Sequence, residues 1–205
     1  MRHNSGISGH QHKFLVTLAL LGMAAASWLG ATRQVSATGP QSQAAAAKTD
    51  KPFQLTSTSF DADAAIPLKY ACSGANVSPA LAWTDPPANT QSFALIVDDP
   101  DAASATPVVH WLIYAIPATQ RSLAEDTPKK ASVPGGARQG KNSTGKLGYS
   151  GPCPDPGKVH HYFFKLYALD YTPDLKSKAK AEDVRAAVKG HATAEAELIG
   201  RFQRE

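Results

Sequence analysis

Three apolar segments dominate the hydrophobic pattern of the chain. From Ser92 to Val97 the chain is a continuous apolar run, closed by Asp98-Asp99-Pro100-Asp101. A run of this length between breakers reads as a strand buried on both faces. Val108 to Ile116 is the second segment, and Pro117 stops it. Phe163 to Leu169 is the third, and a Pro/Gly loop from Gly151 to Lys158 delivers His160, His161 and Tyr162 to its start. Gln54 to Phe60 and Ala194 to Phe202 alternate and predict a first and a last strand. Ile66 to Tyr70 predicts a short strand after the first. Ala181 to Lys189 is the helix candidate, with Val184 and Val188 one turn apart and Gly190 as a stop. Between Pro117 and Pro152 lies a long loop rich in Gly, Pro, Ser and Lys, a type that tends to be functional or mobile. Many strands and few helices predict a mainly β fold, a β-sandwich with one or two peripheral helices.

The front of the chain follows another pattern. Arg2 and Lys13 precede an apolar run from Phe14 to Leu29, and Val35-Ser36-Ala37 supplies small residues for a cut. That is the layout of a signal peptide over residues 1–37. The run falls short of the roughly 20 residues of a membrane span; an uncleaved anchor is the alternative. No cysteine stands near the cut to carry a bacterial-type lipid anchor. Residues 38–51 are small and polar and read as a flexible linker, leaving a domain over 52–205. The expected location is periplasmic or secreted.

Charge changes the picture little. Of 21 basic side chains, Arg2, Lys13 and Arg33 leave with the leader, so 18 face 17 acidic ones. No dense Lys/Arg patch interleaved with aromatics is present, which argues against a nucleic acid partner. Lys129-Lys130 and the run from Lys176 to Lys180 read as solvated surface. Cys72 and Cys153 both fall in the exported part, and an even count in an oxidising compartment favours one disulfide. Two separate buried thiols are the alternative.

Polar groups at the strand ends carry the candidate chemistry. Asp99 and Asp101 end the first strong strand, His110 sits inside the second, and His160 and Tyr162 lead the third. If the strands are neighbours, these groups converge at one edge of the sheet. An imidazole can donate to an anion while a carboxylate behind it fixes the tautomer. A Tyr hydroxyl and the amides of a Pro/Gly loop complete a cradle suited to a phosphate ester. The strand period of two puts His160 and Tyr162 on one face and His161 on the other. Read singly, His110 could be a core histidine and Asp99 a turn cap. Two histidines and a carboxylate could also form a facial metal triad, but no further Cys/His spacing supports one, and no cofactor is expected.

The segment Cys72-Ser73-Gly74-Ala75-Asn76-Val77-Ser78-Pro79-Ala80-Leu81-Ala82-Trp83 and the motif Asp99-Pro100-Asp101-Ala102 recur, in order and spacing, with His110-Trp111 and the loop from Gly151 to Tyr162. Together they resemble the phosphatidylethanolamine-binding proteins, and within them the bacterial Raf kinase inhibitor-like branch. The resemblance covers about Phe53 to Gln203. It implies a β-sandwich with one small pocket for phosphate-like head groups. Asp99, His110, His160 and Tyr162 would line it, Gly151 and Pro152 would form its rim, and Pro100 and Asp101 its opposite wall. Ala103 stands where the family usually has proline, and His161 where it often has arginine. The expected function is an exported binder of a phosphorylated small molecule or phospholipid head group. The alternative is an inhibitor of a secreted protease or other enzyme. No activated Ser or Cys nucleophile is evident, so an enzyme is not expected.

Overall fold

The apolar runs pair with one another, and their pairing sets the architecture. The computed structural model describes residues 52–205; the leader expected over 1–37 and the linker over 38–51 lie outside the described residues. The strands are β1 (Gln54–Thr56), β2 (Leu81–Thr84), β3 (Ser92–Asp99), β4 (Val108–Pro117), β5 (Ser122–Leu123), β6 (Arg138–Gln139), β7 (Val159–Leu169) and β8 (Ala192–Gln203), with one α-helix, α1 (Ala181–Val188). They form an antiparallel sheet of order β6-β4-β3-β7-β8 and a smaller one of order β1-β2-β5. The mainly β sandwich expected from the sequence is what the chain builds. No helix among the described residues is long and apolar enough to cross a membrane.

β3 lies at the centre of the large sheet, and every one of its residues is buried. Its odd residues Phe93, Leu95 and Val97 meet Leu55, Leu81 and Trp83 of the small sheet in the main core. Each such side chain contributes about 1.5–3 kcal/mol relative to exposure. Its even residues Ala94 and Ile96 face the other way, where Val184 and Val188 of α1 cover them with Leu112 and Tyr114. A strand with apolar cover on both faces has no polar alternation, which is why the run from Ser92 reads as continuous. β7 keeps the period of two, with His160, Tyr162, Phe164, Leu166 and Ala168 buried and the residues between them partly exposed.

Three expectations are corrected. Ile66 to Tyr70 is not a strand: Leu68–Tyr70 is a 3₁₀ turn entered from Pro67 at φ −60°. A proline ring presets that helical φ and lacks the amide a ladder needs. The first strand ends at Thr56 and does not run to Phe60. Ser57 donates its hydroxyl to Ala80 C=O at 2.6 Å and accepts from Ser59 N–H at 3.0 Å, so local side-chain bonds replace the ladder. β7 starts at Val159, so the histidines belong to the strand and not to the loop before it.

The long segment after Pro117 is joined to the sheet by the β4–β6 pairing and by a buried amide. Gln139, fully buried, accepts from Trp111 Nε1 at 2.6 Å through Oε1. Its Nε2 donates to the carbonyls of Pro128 and Lys130, both at 2.7 Å. Replacing it with leucine orphans the buried Trp111 indole N–H and removes both bonds to the carbonyls of Pro128 and Lys130, residues that are themselves exposed. Gln139→Leu should therefore lower unfolding free energy by about 2–3 kcal/mol in urea titrations. A loss below about 1 kcal/mol would show that the segment is held elsewhere.

Candidate functional site

The site begins with a residue that the β-ladder leaves out. In the pairing of β3 with β4, Val97 faces Trp111 and Asp98 faces Val109, so His110 has no partner. This is a β-bulge, which re-aims side chains without ending the strand. Val109 and Leu112 both point toward α1, while Trp111 points into the sandwich. The extra residue therefore puts His110 on the sandwich side, where its ring meets Tyr162 edge-on at 5.1 Å between centroids.

Asp99 ties the second histidine in place. Its Oδ1 accepts the amides of Asp101 at 2.8 Å and Ala102 at 3.1 Å. Its Oδ2 lies 2.8 Å from His160 Nδ1, with both side chains almost entirely buried. A carboxylate oxygen can only accept, so His160 Nδ1 carries the hydrogen. The same logic applies to His110, whose Nδ1 lies 2.7 Å from the Ser150 carbonyl. With Nδ1–H donated in this way, Nε2 is the remaining polar atom of each ring. Asp99, with both oxygens engaged, acts as a positioner of His160 and of the turn at 100–102.

Tyr162 completes the cluster. It is 1 % exposed; its hydroxyl lies near the Asp99 carboxylate and the Cys153 backbone but makes a well-formed hydrogen bond with neither. Burial, with the Asp99 charge second, pushes its ionisation well above the ordinary phenol value, so it stays a donor. A buried hydroxyl without a well-formed hydrogen bond is costly.

The rim is a strip from Tyr149 to Cys153 stitched to residues 70–76. Tyr149 donates its hydroxyl to Tyr70 C=O at 3.0 Å, Cys72 N–H donates to Pro152 C=O at 3.0 Å, and Gly151 N–H donates to Asn76 Oδ1 at 2.8 Å. Cys72 and Cys153 are bridged, with Cα atoms 5.4 Å apart across 81 residues of sequence, so two separate thiols are ruled out. Closing a loop of that length adds about 4–5 kcal/mol in the chain-entropy view. Gly151 is required by contact: a Cβ there would lie 2.1 Å from Tyr70 O. The strip matters because its Ser150 carbonyl holds His110.

The structure brings Asp99, His110, His160 and Tyr162 together, with Gly151 and Pro152 buried beside them. Pro100 and Asp101 lie outward. Asp101 Oδ2 accepts both Nδ1–H (2.7 Å) and the backbone amide (2.8 Å) of His161, and the side-chain bond first, then the backbone one, holds its carboxyl below the usual range. Ser150 and Asn76 act in the site without having been singled out from the sequence. Asn76 sits at φ +54°, a left-handed conformation that asparagine tolerates; it stands in the quoted segment from Cys72 to Trp83 but was given no role of its own there.

Burial holds the His110 imidazole below its ordinary value, against the opposing pull of the Ser150 carbonyl and the Asp99 charge. The folded ring then resists a proton that the unfolded chain accepts from about pH 6.5 downward. Stability should fall as pH drops below that point, until the folded ring also protonates. Urea midpoints at pH 7 and pH 5 should diverge more for the native chain than for His110→Asn. Equal divergence would contradict the burial.

A family model described as phosphatidylethanolamine-binding protein matches residues 56–203. The UPF0098 protein of Methanothermobacter thermautotrophicus is 47% identical over 152 residues, covering 74% of this chain and 99% of that one. A candidate lipoprotein of Mycobacterium tuberculosis, LppC, is 37% identical over 154 residues, or 75% of this chain and 73% of its own. Among solved structures, E. coli YbcL, described as a new member of the mammalian PEBP family, matches with a TM-score of 0.72 at 33% identity, covering 76% of this chain and 100% of that one.

Proposed function

The chain belongs to the phosphatidylethanolamine-binding protein family, and we propose that its Asp99, His110, His160 and Tyr162 cluster binds the phosphate-like group of a small molecule or lipid head group. The observation that carries this reading is the Tyr162 hydroxyl, buried and without a well-formed hydrogen bond. An incoming oxyanion accepts that hydrogen bond and recovers a cost of about 1–3 kcal/mol. The imidazoles set the pH dependence. Their Nδ1 hydrogens are spent on Asp99 and Ser150, so Nε2 becomes a donor only when a ring is protonated. An incoming anion therefore favours protonation of the His110 ring, which burial otherwise holds below its ordinary value, and affinity rises as pH falls from neutrality. Asp99 and Ser150 position the rings and do not touch the anion.

Export fits the same picture. A disulfide is at home in an oxidising compartment, the leader reads as a signal peptide, and LppC is named as a candidate lipoprotein. Binding without turnover is the reading adopted, since both cysteines are joined to each other and the cluster contains no serine or threonine side chain.

Calorimetric titration of the full chain with phosphoethanolamine and with glycerol 3-phosphate tests the proposal. Saturable binding should strengthen from pH 7.5 to pH 6. Tyr162→Phe should weaken it about tenfold and His160→Gln about 10- to 100-fold, the worth of a hydrogen bond to a charged group. No binding at millimolar ligand, or binding indifferent to both substitutions, would refute it.

A further inference from the structure

A second concavity opens on the opposite face of the large sheet, away from Tyr162. Its volume is about 710 Å³, and it lies between the start of α1, the 141–145 turn and the entry to β4. Pro107, Val109 and Ala181 give it an apolar floor, and Lys141, Lys180 and Arg185 stand around it. A cavity of 300–1,000 Å³ with an apolar lining and a few polar groups is the usual form of a small-molecule site.

The charges around it are not balanced. Glu182 is the one carboxylate in its lining, and it lies 3.3 Å from Lys180 with both side chains 72 % exposed. A pair so solvated contributes little and is readily exchanged for another anion. Lys141 makes no ion pair among the described residues. Arg185 donates through Nη2 to Asp98 at 2.6 Å, while Asp98 is shared with Lys165 at 4.0 Å. The amide at the start of α1 is occupied, because Lys180 N–H already donates to Asp183 at 3.0 Å. Arg185 is already paired with the buried Asp98, so the attraction for an anion rests on Lys141 and Lys180.

The walls are built before any ligand arrives. Val109 and Ser143 exchange bonds, the Val109 amide to Ser143 Oγ at 2.8 Å and the Ser143 amide to Val109 C=O at 2.9 Å. Lys141 N–H donates to Ala179 C=O at 2.9 Å. The approach of these segments needs Gly140, where a Cβ would fall 2.6 Å from Ala179 O. Binding here asks for little ordering of the backbone, which favours affinity.

We propose that this cleft is a second ligand site, for a small organic anion whose apolar body lies on Pro107, Val109 and Ala181 and whose phosphate or carboxylate faces Lys141 and Lys180. It is separate from the Tyr162 site. Asp98 and Asp99 are neighbours on β3 that point to opposite faces, Asp98 to Arg185 and Asp99 to His160. The run from Lys176 to Lys180, which the sequence offered as plain solvated surface, thus ends in a binding group.

Octyl phosphate is the probe, with octanol and inorganic phosphate as its two halves. Titrated into the full chain and followed by backbone amide NMR, it should shift Thr106, Ser143 and Ala181 saturably. It should bind at least tenfold more tightly than either half. The double change Lys141→Gln, Lys180→Gln should weaken those shifts at least tenfold while phosphoethanolamine binding at the Tyr162 site stays unchanged. His160→Gln should leave the cleft shifts as they are. Octyl carboxylate (nonanoate) in place of the phosphate should bind the same cleft, which separates the general anion from phosphate alone. Shifts confined to the Tyr162 site, loss of the cleft shifts in His160→Gln, or cleft binding indifferent to the lysine changes would overturn the proposal. Equal affinity for octanol or for inorganic phosphate would also overturn it, by removing the need for a charge or for the apolar floor.

Discussion

The carboxylate of Asp99 accepts from three donors, two amides of the following turn and the Nδ1–H of His160. A buried carboxylate is tolerable only with such a set of partners. Its position is over-determined: the end of β3 fixes the backbone, the turn fixes one oxygen and β7 fixes the other. His160 therefore has one tautomer and one orientation before any ligand arrives. Charge-assisted bonds of this kind are the strong ones, and the loop that follows Asp99 and the strand that carries His160 are both anchored through it.

His110 reaches the same place by a different route. The bulge in β4 turns it toward the sandwich, and the Ser150 carbonyl holds its Nδ1. Ser150 is itself held because its neighbour Gly151 is bonded to Asn76 and the strip is bridged by Cys72–Cys153. The disulfide thus has two effects from one bond. It restricts the unfolded chain, and it fixes the carbonyl that sets a histidine tautomer. Tyr162, edge-on to the His110 ring, is the group left without a well-formed hydrogen bond.

The core was legible because burial leaves a direct trace in sequence. β3 is apolar without alternation because it is covered on both sides, and β7 alternates because only one face is deeply buried. α1 was legible from Val184, Val188 and Gly190. The turn at Leu68–Tyr70 was not, because an apolar pair beside Pro67 fits a short strand equally well until the φ of proline is given its weight. Asp99, His110, His160 and Tyr162 were legible as polar intrusions at apolar strand ends. Their roles were not, since the choice of His160 over His110 as the partner of Asp99 depends on a bulge that hydrophobic period cannot reveal. Gln139 and Asn76 left almost no signal, because a buried amide is recognised by its partners, and these lie in segments distant in sequence.

The most direct test of this account is the tautomeric state of the two histidines in the ligand-free protein, read from ¹⁵N–¹H correlation of the neutral imidazole rings. Both His110 and His160 should carry the hydrogen on Nδ1 and show an unprotonated Nε2, as donation to Ser150 and Asp99 requires. A hydrogen on Nε2 in either ring would contradict the account. That ring would then not be held by its partner, and the link between anion binding and proton uptake would fall with it.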